Sequence, residues 1–259
     1  MKRDLYFSKP LMNAAGSLGF APDTRLGISF EAFGAFVTNP FSLRPRKPAV
    51  QPEVIEYPGG FLLHSGLPNP GFDAGIKRYA SRWDKSGLPI IVHLMADRPE
   101  ETQRMVRTLE RRENVMAAEL GFAPLLADDI LLLTLEMCLG EIPLIFSLPV
   151  EQVLSLGPRL IQEGAQAISI SAPRGALRMS PRRHGDADHV VTGRLYGPSL
   201  FPRALETVYS AAKLGLPIIG AGGVWTKESA EAMTSAGALA VQVDAVLWGV
   251  NWLSQSSIE

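Results

Sequence analysis

Eight short, nearly uninterrupted apolar runs punctuate the chain: LMNAA from 11, AFVT from 35, PIIVHLM from 89, VMAAEL from 115, PLIFSL from 143, AISIS from 167, PIIGA from 217 and ALAVQV from 238. Runs without polar alternation belong to strands buried on both faces, as in a parallel sheet covered by helices. The segments between them have helical spacing. PEETQRMVRTLERR begins with proline and acids and ends with basic residues, as the helix dipole favours, and Met105, Val106 and Leu109 form its buried stripe. FPRALETVYSAAKLG places Ala204, Leu205, Val208, Ala211 and Ala212 on one face and stops at Gly215. Strand and helix alternating in this way predict an α/β fold, a (β/α)8 TIM barrel occupying 1–259 as one domain.

Two segments interrupt the alternation. Residues 40–71 are rich in Pro and Gly and hold two strand-like pieces, EVIEY and FLLHS, around Pro58-Gly59-Gly60. They predict a small antiparallel hairpin inserted after the second strand as a lid over the C-terminal face. Residues 172–193 lack periodicity, are dense in arginine and read as a loop. Both follow strands, on the face that carries function in this architecture. Arg174, Arg178, Arg182 and Arg183 there make either an anion trap or a solvated loop.

Composition narrows the function. Apolar residues are 46% and charged residues 20% of 259, which excludes a disordered or fibrous chain. A net charge of −1 gives no global reason to expect nucleic acid or an anionic membrane as partner. The lone Cys138 sits in an apolar stretch as a buried structural thiol, and the N-terminus lacks the apolar centre of a signal peptide, so a soluble cytoplasmic protein is expected. His64, His93, His184 and His189 share no metal-ligand spacing, and no metal is expected. The stripe VLWGVNWL from 246 fits packing against the barrel or a homodimer contact.

The stretch PIIGAGGV, 217–224, runs from a buried strand into glycines and then a helix start, WTKESAEAM. Backbone N–H groups and the helix dipole favour an anion at such a place, whereas an isolated glycine pair serves equally as a turn.

Taken in order, NAAGSLGF (13–20), LRPRKP (43–48), SGLPNPG (65–71), GRLYGPSLFPRAL (193–205), PIIGAGGV and SAGALAVQV (235–243) resemble the FMN-dependent dihydroorotate dehydrogenases. The resemblance implies that Ala14, Ala15, Gly16 and Gly197 approach a flavin through backbone, and that Gly222, Gly223, Val224 and the end of the last strand hold its phosphate. Arg194, directly before LYGP, is a further candidate for that anion. Departures accompany the resemblance. Asn39 and Ser147 stand where the family has lysines beside the flavin. Leu63, Gly121 and Ala172 stand where it has asparagines around the substrate ring, and GFAPLLADD lacks the catalytic Cys or Ser. Asp244 ends the last strand, where a carboxylate beside a phosphate is repulsive, so that it either points elsewhere or marks a lost phosphate. His64, Asn69, Ser171 and Arg174 are the residues expected to face a small, anionic substrate. The expected activity is FMN-dependent redox chemistry on a substrate other than dihydroorotate; the alternative is a barrel that has lost FMN and binds a ligand or partner without catalysis.

Overall fold

The computed structural model describes residues 4–50, 53–179 and 189–249, with the side chain of Met179 left aside. Its strands are β1 (Leu11–Asn13), β2 (Phe33–Val37), β3 (Glu53–Tyr57), β4 (Gly60–His64), β5 (Ile90–Met95), β6 (Val115–Gly121), β7 (Leu144–Leu148), β8 (Ala167–Ile170), β9 (Arg174–Met179), β10 (His189–Tyr196), β11 (Ile218–Ala221) and β12 (Ala240–Val243). Its helices are α1 (Phe72–Asp84), α2 (Pro99–Leu109), α3 (Asp128–Cys138), α4 (Val150–Gln162), α5 (Phe201–Lys213) and α6 (Lys227–Ser235). Eight strands close in the order β1-β12-β11-β8-β7-β6-β5-β2, every pair parallel, and each corresponds to one of the eight apolar runs.

Both faces of these strands are buried, which is why the runs are continuous. Met12, Ala35, Val37, Ile91, Ala117, Ile145, Ala167, Ile219 and Ala240 fill the barrel interior, small beside large. The alternate residues, among them Phe36, Val92, Leu120, Phe146, Ile168 and Ile218, pack outward with Val106, Leu109, Leu135, Leu160 and Val208 of the helices. Where β1 meets β2 the register shifts. There the Asn13 side chain replaces ladder bonds, donating to the Val37 carbonyl at 2.6 Å and accepting from the Val37 N–H at 2.9 Å.

The hairpin forms as expected, β3 pairing β4 around Pro58-Gly59. The segment 172–193 does not remain a loop. Its described parts are strands β9 and β10, and β10 pairs β4, giving a four-stranded antiparallel sheet β3-β4-β10-β9 made from two insertions. Along β9 the exposed positions are Arg174, Ala176 and Arg178 and the half-buried ones Gly175 and Leu177, so hydrophobic contrast is weak and the period is masked. Arg182, Arg183 and His184 lie outside the described residues. Glycine is required where the sheet turns back on itself: a Cβ at Gly60 would strike the Tyr196 carbonyl, and one at Gly197 would strike Gly59 and Gly60.

Of the apolar C-terminal stripe, Val246 and Leu247 are buried. Trp248 packs on Phe61 and Tyr196 and donates its indole N–H to the Ser17 carbonyl at 2.7 Å. Val246 and Leu247 are thus packed within the chain, while Trp248 keeps part of its ring exposed. No helix among the described residues is long and apolar enough to cross a membrane. Cys138 is buried, and burial pushes its thiol up to about 12, so it stays protonated at neutral pH.

Candidate functional site

Three cavities adjoin at the carboxyl ends of the barrel strands. The first, about 40 Å³, lies between Ala14, Ala15, Ser147, Gly222, Gln242 and Asp244. The second, about 330 Å³, opens under the antiparallel sheet beside Gly16, Arg46, Leu63, His64, Asp97 and Arg174. The third, about 480 Å³, lies against Phe122–Leu126, Ser147, Ser171 and Arg174. His93 and Arg194 line all three.

Side chains alternate across a strand, so two residues above Ile91, Ala117, Ala167 and Ala240 of the interior stand His93, Glu119, Ser169 and Gln242. They form one buried network. Glu119 Oε2 lies 2.7 Å from His93 Nδ1, and Glu119 Oε1 accepts from Ser169 Oγ at 2.7 Å and Gln242 Nε2 at 2.8 Å. Burial pushes the Glu119 carboxyl up, but the bonds from His93, Ser169 and Gln242 outweigh it and hold the group below its usual range. With Nδ1 directed at a carboxylate, the neutral ring carries its proton there and leaves Nε2 as the acceptor. That Nε2 faces Gly121, where any Cβ would collide with it.

Asp244 has the opposite balance. Its Oδ1 accepts from the Ala245 N–H at 2.6 Å, capping a short 3-10 turn over Ala245–Trp248. No Lys or Arg among the described residues stands within salt-bridge distance of it, and burial pushes its carboxyl up to about 6. Tyr196, at the same rim, is also pushed up, first by burial, while Arg194 beside it opposes the shift.

Arg174 and Arg194 are directly opposed in the β9/β10 register and line the second and third cavities together. Neither forms an ion pair with a described residue. Like charges facing across a strand pair repel, so the pair makes this part of the mouth electropositive.

The other expected site residues divide by placement. Ala14, Ala15, Gly222 and Asp244 border the first cavity, Ser147 and Ser171 the first and third, and Gly16 and His64 the second, with His64 Nδ1 2.9 Å from the Thr192 carbonyl. Leu63, Gly121 and Ala172, where the resemblance implied asparagines, also line these cavities. Asn39, Asn69, Gly197, Gly223 and Val224 do not. Asn39 Oδ1 accepts from the Gly19 N–H at 3.0 Å. Asn69 is buried and braces its own loop, accepting from the Gly71 N–H at 3.0 Å and donating to Ser42 Oγ at 3.0 Å. Gly223 has a positive φ of 68° and packs against the N–H of Phe201, and Val224 is in the core. The buried network was missed by sequence reasoning, although a signal existed: one polar residue at the inward position of each of four apolar strands.

The family model for dihydroorotate dehydrogenase matches residues 3–121, the part of the chain from β1 to the end of β6. The chain is 28% identical over 249 residues to the dihydroorotate dehydrogenase B (NAD(+)) catalytic subunit of Geotalea uraniireducens, covering 90% of this chain and 82% of that protein. The subunit of the same name from Geobacter sulfurreducens is 29% identical over 251 residues, covering 90% and 82%. That from Bacillus caldolyticus is 26% identical over 254 residues, covering 92% and 81%.

Proposed function

From the premise that this chain belongs to the dihydroorotate dehydrogenase-like superfamily of flavin barrels, we propose that its mouth now binds a small anionic molecule and that the flavin has been given up. The carrying observation is the pair Arg174 and Arg194, facing each other over the open cavities without an acidic partner among the described residues. A carboxylate or phosphate between them would remove their repulsion and match the guanidinium fork.

Several features weigh against FMN in this reading. The space directly beside Gly222 and Asp244 is narrow, about 40 Å³, before it opens into the two larger cavities. At the end of the last strand, the Ala245 N–H that a phosphate would use is taken by the Asp244 carboxylate. Gly223 presents its α-carbon to Phe201 rather than to open space. Neither Asn39 nor Ser147 supplies a cation for a reduced ring.

Two titrations test this. The purified protein is expected to be colourless and to show no saturable quenching of FMN fluorescence. It is expected to bind 2-oxobutyrate, with affinity falling about tenfold or more in Arg194→Ala. Stoichiometric FMN uptake with a visible flavin band would overturn the reading and restore redox chemistry.

A further inference from the structure

We propose that His93 is a general acid–base residue, held by Glu119, that moves a proton on the carbon next to the ketone of a small 2-oxo carboxylate. This rests on the reading of the mouth as a small-anion site and assigns it a reaction.

The geometry is that of a dyad rather than of a satisfied core histidine. His93 Nδ1 is fixed by Glu119 at 2.7 Å, and Glu119 is itself fixed through its other oxygen by Ser169 and Gln242. The ring therefore has one orientation and one tautomer. Its Nε2 has no hydrogen-bond partner among the described residues and lies close against Gly121, which being glycine lets the ring reach the wall of the cavities that His93 lines. A base held at the wall of an open cavity, with its partner buried behind it, is placed for proton transfer.

The ligand class follows from the surrounding groups. Arg174 and Arg194 supply the carboxylate anchor, and Arg194 borders the same cavities as His93. A neutral imidazole removes a carbon-bound proton at useful rates only where the resulting charge is delocalised, and a neighbouring ketone provides that. His93 Nε2 takes the proton, and the C–H electron pair becomes the C=C bond of an enolate whose oxygen faces the arginine. The imidazolium returns a proton to the same carbon. Nothing is oxidised or reduced, and no second reactant is consumed. The net event is exchange of that carbon-bound proton through an enolate, which at a stereogenic carbon amounts to epimerisation.

The test is exchange of the C3 protons of 2-oxobutyrate in D2O, followed by proton NMR, with binding measured separately by calorimetry on the same protein. Wild type is expected to accelerate exchange at least ~100-fold over buffer. His93→Gln should return it to the buffer rate with binding retained. Glu119→Gln, which keeps a hydrogen-bond acceptor behind the ring, should lower the turnover rate about tenfold or more while the half-saturating concentration stays the same. Binding without exchange in wild type, or exchange that survives His93→Gln, overturns the assignment of His93 and leaves the anion site standing. Absence of binding overturns both.

Discussion

Asp244→Asn is expected to stabilise the protein at neutral pH, by up to about 3 kcal/mol. The Asp244 carboxyl has one strong donor, the Ala245 N–H, and burial pushes it from 3.8 up to about 6. That displacement corresponds to about 3 kcal/mol between protonation states. For a carboxyl raised in the folded state, the unfolded chain releases its proton first as pH rises. Stability from this residue is therefore fully present below about pH 4, declines between about pH 4 and 6, and is absent above. Asparagine keeps the acceptor for the Ala245 N–H without the charge. Thermal unfolding between pH 4 and 8 should show the variant gaining roughly 5–10 °C at pH 7 and converging on wild type near pH 4. An equal gain at both ends would mean that charge burial is not the cause. The related variant Asp244→Gly also tests the cofactor argument: FMN uptake by it alone would show that this carboxylate is what keeps the phosphate out.

The barrel was legible because its strands are buried on both faces, so each left a short apolar run, and eight of them alternate with helical segments. The ribbon of β9 and β10 was not. Its pairing partner β4 lies more than a hundred residues earlier, and its exposed arginines alternate with glycine and leucine rather than with a strong apolar series. The site was legible in its losses more than in its gains. Leu63, Gly121 and Ala172 do line the mouth, where the resemblance implied asparagines. The glycine frame divided: Gly222 borders a cavity, while Gly197 and Gly223 are needed for close backbone packing, a role indistinguishable in sequence from cradling an anion. The buried network was the harder part, since Glu119 is 26 positions from His93 and 123 from Gln242. Only the closed barrel brings them to one height.

Glu119→Ala is expected to cost about 3–5 kcal/mol, the largest loss from any single side chain at the mouth. Glu119 and Asp244 are both buried carboxylates at the same end of the barrel, yet their balance differs in sign. Three side-chain donors on Glu119 outweigh its desolvation, and the backbone N–H groups of Ala245 and Asp244 on Asp244 do not. Truncation to alanine would leave His93 Nδ1–H, Ser169 Oγ and Gln242 Nε2 without the acceptor they share. Because the Glu119 carboxyl is held below its unfolded value, its contribution is present above about pH 4.5 and is lost as pH falls through the folded value, opposite to Asp244. Urea unfolding at pH 7 should place Glu119→Ala several kcal/mol below wild type, with Glu119→Gln between them. The gap should change little between low and high salt, since a pair this deep is poorly screened. A loss under about 1 kcal/mol would mean that the three donors find other partners when the carboxylate is gone, and that the network is adjustable rather than fixed.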